Sequence, residues 1–211
     1  MNVSAATRAA LPAHDLTARQ AKAEKTITRR LETIGKLESG VTASTTLSTD
    51  QKTALMAKLT SASDGLTALK DKISTDTTKE TLKADAAAVF TDFRVYKVLA
   101  PQVDGAEKIT AMQAQMAQFQ ERLTAGQTAV AAATPGDTAT SAATLLTDAG
   151  THLTGATTAL DGKLDALLAL TPSAYNSDHH VVETYKSAMD TGATELGTVD
   201  KDLTRFAGLQ L

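Results

Sequence analysis

The sequence predicts an all-α protein of long antiparallel helices, and three observations lead to this prediction. Apolar residues recur at spacings of four and three along most of the 211 residues, which is the period of one helix face. No segment alternates apolar and polar residues over a useful length, as a half-buried strand would. The chain has 12 Gly and 4 Pro, too few for an all-β protein with many turns.

Two helical segments are predicted first, over residues 16–41 and 48–73, with a Thr/Ser-rich loop between them. Ser48 and Gln51 form a capping box at the start of the second segment, because each side chain can bond the other residue's backbone N–H. The second segment carries an unbroken four-three series, the strongest helix pattern in the chain. That series comprises Leu55, Leu59, Ala62, Leu66, Leu69 and Ile73.

A third segment, residues 77–100, begins at a second capping box, Thr77 with Glu80, and runs up to Pro101. Proline can end a helix or kink it, and the helical pattern resumes almost at once after it. We therefore predict two three-helix bundles in tandem that share one central helix bent near Pro101. One compact helical bundle is the alternative. The third seam comprises Leu82, Ala86, Val89, Phe93, Tyr96 and Ala100.

Three more segments follow Pro101, with breaks at "TPGDT" and "TPSAYNSD". Their heptad-like seams are typical of bundles and coiled coils. We predict a flexible N-terminal arm over residues 1–14 and lobes over 15–100 and 101–211. The seams comprise Ile109, Met116, Phe119, Leu123 and Val130, then Ala142, Leu146, Ala149, Leu153, Ala156, Leu160, Leu164 and Leu167, then Val182, Tyr185, Met189, Gly192, Leu196, Val199, Leu203 and Phe206.

Charge and composition exclude several classes of function. The net charge of −3 argues against a nucleic-acid partner. Residues 1–100 hold 15 Lys/Arg and 11 Asp/Glu, net +4, whereas residues 101–211 hold 6 and 13, net −7. The chain has no Cys, which excludes disulfides and thiolate chemistry. No apolar run is long enough for a transmembrane segment, and the N-terminal stretch has no apolar core of a signal peptide.

The stretch "AVFTDFRVYKVLAP" concentrates three of the chain's seven aromatic residues. It is apolar almost all round, as a helix buried on several sides would be. We interpret it as a packed junction core between the lobes. A partner-binding or self-association patch and a small-ligand pocket are the alternatives. The junction core comprises Phe90, Phe93, Arg94 and Tyr96.

The element "TDFRVYKVLAP" resembles a T-D-[YF]-R-V-Y-x-x-x-x-P element of exported helical proteins of actinobacteria. The resemblance extends to "QAKAEKTITRRLETIGKLESGV", to "LSTDQKTALMAKLTSASDGLTALKDKI" and to "LLALTPSAYN". It implies an exported helical bundle that is secreted or held at the cell surface. It implies no activity and no catalytic residues.

Threonines form the second candidate surface. They run along two of the later helices at four-three spacing, two residues before seam positions, and therefore point away from the core. A compositional bias toward Thr is one reading. The other is a neutral surface that docks on a glycan, cell wall, ice or another copy of the chain. The surface comprises Thr140, Thr144, Thr147, Thr151, Thr154 and Thr158, with Thr184, Ser187, Thr191, Thr194 and Thr198.

No motif points to catalysis, and we expect no catalytic residue, cofactor or bound metal. Nucleophile elbows and phosphate-binding glycine loops are absent from the sequence. His179 and His180 with Asp178 and Glu183 are the metal-like group, and a solvated helix start explains them better, since zinc needs four converging ligands. We therefore expect a non-enzymatic interaction or structural protein whose partner is a protein, a cell-envelope glycan or another copy. A carrier of a small apolar ligand, or a surface-active protein, is the alternative.

Overall fold

The computed structural model describes residues 5–209, with side chains from residue 15 onward. In this range all regular structure is helical and no strand occurs, which confirms the predicted all-α class. The predicted N-terminal arm, residues 1–14, lies outside the residues whose side chains are described. The elements are α1 (Ala5–Ala43), α2 (Thr49–Ser74), α3 (Lys79–Thr91), a π-helical turn (Val95–Leu99), α4 (Ala100–Ala132), α5 (Asp137–Leu160), α6 (Lys163–Ala169), α7 (Pro172–Ser177) and α8 (Val181–Ala207).

The chain divides into two compact units. The first contains Met1–Val103 and Leu170–His179, and the second contains Asp104–Ala169 and His180–Leu211. The first unit thus includes a segment that the sequence analysis assigned to the second lobe. Hydrogen bonds hold that segment in place: Gln102 Nε2 and Lys58 Nζ donate to the carbonyl oxygen of Leu170 at 2.8 and 3.3 Å.

The first unit is built on α1, α2 and α3. The capping box at the start of α2 is confirmed, since the Gln51 N–H donates to Ser48 Oγ and the Ser48 N–H donates to Gln51 Oε1. The second predicted capping box is wrong by one residue, because Thr78 rather than Thr77 caps α3. The core of this unit includes Ile27, Ile34, Leu55, Leu59, Leu66 and Ile73, none more than 1% exposed.

The predicted bend at Pro101 is a break that lies earlier in the chain. Helix α3 ends at Thr91, and Arg94 adopts a left-handed conformation with φ 41°. The π-helical turn follows and runs directly into α4, in which Pro101 is the second residue. The described structure therefore has no continuous helix running from α3 through Pro101.

The second unit packs α5 and α8 with the part of α4 beyond Val103. The predicted helix through Leu167 is interrupted, because Gly162 has φ 62° and ends the run between α5 and α6, a conformation that glycine adopts without steric cost. No helix among residues 5–209 is long and apolar enough to cross a membrane. The core comprises Phe119, Leu123, Leu146, Ala149, Leu153, Ala156, Leu196, Val199 and Leu203.

Candidate functional site

The break after α3 is held by contacts between two distant stretches of sequence. Arg94 Nε donates to Asn176 Oδ1 at 2.6 Å, and Asn176 Nδ2 donates to the Thr91 carbonyl oxygen at 2.8 Å. The Arg94 guanidinium also lies 5.2 Å from the centre of the Tyr175 ring. The structure thus brings "TDFRVY" and "TPSAYN" together in the first unit.

The left-handed conformation of Arg94 is a strained one for a residue with a Cβ atom. We expect Arg94→Gly to be more stable than Arg94→Ala by about 1 kcal/mol, because both variants lose the contacts to Asn176 and Tyr175 but only glycine relieves the backbone strain. Urea unfolding of both variants measures this difference. Equal stabilities, or a more stable alanine variant, would show that Arg94 is not strained in solution.

The aromatic side chains on either side of the break contact different helices. Phe93 turns toward α2, where a Cβ atom built on Gly65 would lie only 2.5 Å from Phe93 Cε1, so any side chain at position 65 would force the ring to move. Phe90 and Tyr96 instead contact Arg30 on α1. The three rings therefore form two separate sites rather than one cluster.

Phe90 and Tyr96 flank the guanidinium of Arg30. Its central carbon lies 4.5 Å from the centre of the Phe90 ring and 5.2 Å from that of Tyr96, distances at which a cation is attracted to a ring face. Arg30 is 8% exposed, and its Nη1 donates to the Thr26 carbonyl oxygen. Burial lowers the pKa of Arg30 from its ordinary value, while Tyr96 acts in the opposite direction. We call Phe90, Arg30 and Tyr96 the aromatic–arginine cluster.

The aromatic–arginine cluster corrects the prediction of a buried junction core. Phe90 and Tyr96 are 50% and 49% exposed, and they are the large apolar side chains that remain exposed in the described part of the chain. Phe93 and Arg94 are half-buried, whereas Val95 and Val98 are buried. For Tyr96 the physical reason is the break, because the four-three spacing from α3 does not continue through a left-handed residue and a π-helical turn. Phe90 precedes the break and lies beside the buried seam residue Val89 rather than on the seam.

An open groove of about 660 Å³ lies between α1 and α3 and reaches Phe90. The buried side chains Ala23, Leu82 and Val89 form its floor, and exposed basic side chains form much of its rim. The lining from α1 is Asp15, Ala18, Arg19, Lys22, Ala23 and Thr26, and the lining from α3 is Lys79, Leu82, Lys83, Ala86, Val89 and Phe90. We call this feature the α1–α3 groove.

The rim of the α1–α3 groove carries excess positive charge. Asp15 is the carboxylate among the lining residues, and it accepts ion pairs from Lys79 at 2.8 Å and Arg19 at 2.9 Å. The hydrogen bond from Lys79, and to a smaller extent the one from Arg19, lowers the pKa of Asp15 from its ordinary value. Among the residues with described side chains, no carboxylate forms an ion pair with Lys22 or Lys83.

A smaller cleft of about 360 Å³ lies on the α2 side of the break. Phe93, Leu99 and Pro172 provide apolar walls, while Lys58 and Asp92 supply charged groups of opposite sign. Its volume is at the lower end of the range for small-molecule sites. We call it the Phe93 cleft.

The predicted threonine surface is placed on the outside of α5 and α8. Its members are exposed, apart from the half-buried Thr198. Many of the hydroxyls donate to a backbone carbonyl one turn back, as Thr147 does to Ala143 and Thr154 does to Gly150, both at 2.9 Å. A hydroxyl that donates its proton within its own helix offers a partner only oxygen lone pairs and a methyl group.

The histidine pair belongs to the end of α7 and the start of α8. The His179 ring lies 5.0 Å from that of Tyr175, and His180 is the residue that precedes α8. Over the residues that the structure describes, no group of three or more His, Asp or Glu side chains could hold a metal ion.

Arg30 is a site residue that the sequence analysis missed. It lies three residues after Ile27 and four before Ile34, on the face that packs into the core. The sequence does contain a signal for this residue, namely a charged side chain on the face of the helix that packs into the core. A buried charge requires partners, so such a residue indicates contacts with other side chains.

Comparisons with known proteins return no match. Neither a protein-family model, nor a curated protein, nor a solved structure matches this chain.

Proposed function

We propose that this chain is a non-enzymatic interaction protein that binds a partner protein through the aromatic–arginine cluster. The observation that carries the proposal is the exposure of Phe90 and Tyr96, each about half accessible and both stacked on Arg30. Tyrosine is enriched at the energetic centres of protein interfaces, and phenylalanine is enriched in interfaces relative to the rest of the surface. Rings restrained in the free protein lose little further side-chain freedom on binding.

Selection of peptides from an unbiased display library of helical and unstructured segments tests this proposal. We expect the enriched peptides to lose about tenfold or more in affinity for the double variant Phe90→Ser, Tyr96→Ser, because removing an interface centre costs at least about 1.4 kcal/mol. The matched control is Thr147→Ala, Thr154→Ala, which alters the threonine surface and leaves the rings intact.

Three results of that selection would count against the proposal. No enrichment at all, or equal binding to the serine double variant, would remove the role of the aromatic–arginine cluster. Peptides that still bind the serine double variant but no longer bind the alanine control would indicate that the threonine surface binds the partner. A glycan or another copy of the chain would then become the better candidate for the partner.

Export and residence at the cell surface are part of the same proposal. Their support is the resemblance of "TDFRVY" and "TPSAYN" to exported actinobacterial proteins. The contacts of Arg94 with Asn176 and Tyr175 join these two stretches in the folded protein. Detection of the protein in the envelope or medium of cells that make it, with a cytosolic marker retained inside, would support export.

The alternative function is a carrier of a small ligand, and the Phe93 cleft is the observation that favours it. The cleft combines apolar walls with Lys58 and Asp92, the mixture of an apolar lining and a few polar groups that small-molecule sites have. Ser61 is an exposed residue that also lines the cleft. A small molecule retained in native mass spectrometry and lost on Ser61→Phe, which would reduce the volume of the cleft, would favour the carrier.

A further inference from the structure

We propose that the α1–α3 groove receives an acidic amphipathic α-helix of a partner protein, with the aromatic–arginine cluster as an apolar anchor at one end. The inference rests on the proposed function and names the partner's chemistry. It follows from the shape of the groove, from the charge of its rim and from the position of Phe90.

The dimensions of the groove suit one helix. On α1 the lining runs from Asp15 to Thr26, which is about 17 Å at 1.5 Å per residue, or roughly three turns. The lining includes Ala18, Ala23 and Ala86, and small side chains let a third helix approach closely. A helix seated there would complete a bundle with α1 and α3, which is the helix-in-groove mode of recognition.

The charge of the rim selects an acidic helix. Lys22 on α1 and Lys83 on α3 both line the groove, and no described carboxylate forms an ion pair with either lysine. Asp15 is already engaged by Lys79 and Arg19. Glutamates along both flanks of a bound helix would therefore meet lysines on both sides, and a lysine-rich helix would be repelled.

Concavity argues against an anionic membrane as the occupant. A lipid surface is flat on the scale of the groove, so it could contact the rim lysines but could not reach the buried Ala23, Leu82 and Val89 between the helices. Phe90 stacks on Arg30 and lines the groove together with Val89. A helix with an apolar stripe can enter the space between α1 and α3, because its side chains extend to about 5–6 Å from its axis.

The probe for this inference is a 16-residue stapled helix with leucines on one face and glutamates on both flanks. Its binding to the full chain is measured by fluorescence anisotropy at low and high salt. We expect binding to weaken with salt, since exposed charges are screened. We also expect Lys22→Glu, Lys83→Glu to weaken binding at least about tenfold.

The matched control is Lys186→Glu, Lys201→Glu, which makes the same change of net charge on exposed lysines of α8. We expect this control to bind the acidic helix within about twofold of the natural sequence. The same stapled helix with lysines in place of glutamates should bind the natural sequence poorly. It should bind the Lys22→Glu, Lys83→Glu variant better, which a merely misfolded variant could not do.

Several outcomes would overturn the inference. They are equal binding of acidic and basic helices, equal loss in both charge variants, and no binding at all. Phosphatidylglycerol vesicles that bind with the same dependence on Lys22 and Lys83 would reassign the groove to a membrane. Self-association lost in the same variant would reassign it to another copy of the chain.

Failure of this inference is distinguishable from failure of the proposed function. If the acidic helix does not bind but the display selection returns peptides that need Phe90 and Tyr96, the interaction function stands and the partner's chemistry is different. If the selected peptides do not need Phe90 and Tyr96, and the acidic helix does not need Lys22 and Lys83, both proposals fail together.

Discussion

Leu66→Ala and Leu153→Ala are each expected to lower the free energy of unfolding by about 2–5 kcal/mol, the range for leucine truncation in a packed core. Leu66 is fully buried in the first unit, and Leu153 is 5% exposed in the second. The two substitutions therefore test the two cores separately. Urea unfolding followed by far-UV circular dichroism measures the change.

The controls are Thr147→Ala and Thr154→Ala on the exposed face of the helix that contains Leu153. Each should be neutral or slightly stabilising, because alanine has the higher helix propensity and the lost hydroxyl bond lies within the helix itself. If the threonine variants proved more harmful than the leucine variants, the assignment of buried and exposed faces on α5 would be wrong.

The regular helices were predictable because their apolar spacing alone determines which face is buried. Leu55, Leu59 and Leu66 in α2 lie on the predicted seam and are buried. In α5 every predicted seam residue from Ala142 to Leu160 is buried. Local periodicity is sufficient in such helices, since neighbouring turns present the same face to one core.

The break after α3 was not predictable because nothing in "TDFRVY" favours a left-handed residue. No glycine or proline marks the position, and the nearest proline, Pro101, lies inside α4. The partner that holds Arg94 is Asn176, which is 82 residues away in sequence. A conformation that depends on a distant partner leaves no local pattern in the sequence. The bend was therefore predicted at the nearest proline instead.

The place of Tyr96 in the candidate site depends on that break and was missed for the same reason. If α3 had continued, Tyr96 would have stayed on the seam with Phe93. After the break, Tyr96 contacts Arg30, and its hydroxyl lies 3.3 Å from Thr33 Oγ1 and donates to the Arg29 carbonyl oxygen. The sequence concentrates the aromatic residues, but only the tertiary structure separates the half-buried Phe93 ring from the exposed ones.

The aromatic stretch yields the second large expected effect. Phe93→Ala should lower the free energy of unfolding by about 3 kcal/mol, the lower end of the range for phenylalanine truncation, because the ring is half-buried and seated against Gly65. The melting temperature should fall by the same amount at every protein concentration, since these contacts lie within one chain.

Phe90→Ala is the comparison within the same stretch, and it should cost about 1 kcal/mol or less. Half of the Phe90 side chain is already in solvent, so its truncation removes little buried area and one cation–ring contact with Arg30. Differential scanning calorimetry of the two variants at two protein concentrations measures both losses of stability and shows whether either depends on concentration. A larger loss for Phe90→Ala than for Phe93→Ala would contradict the division into a seated ring and an exposed one. Phe90 would then be a structural residue, and its exposure would no longer support the aromatic–arginine cluster as a binding surface.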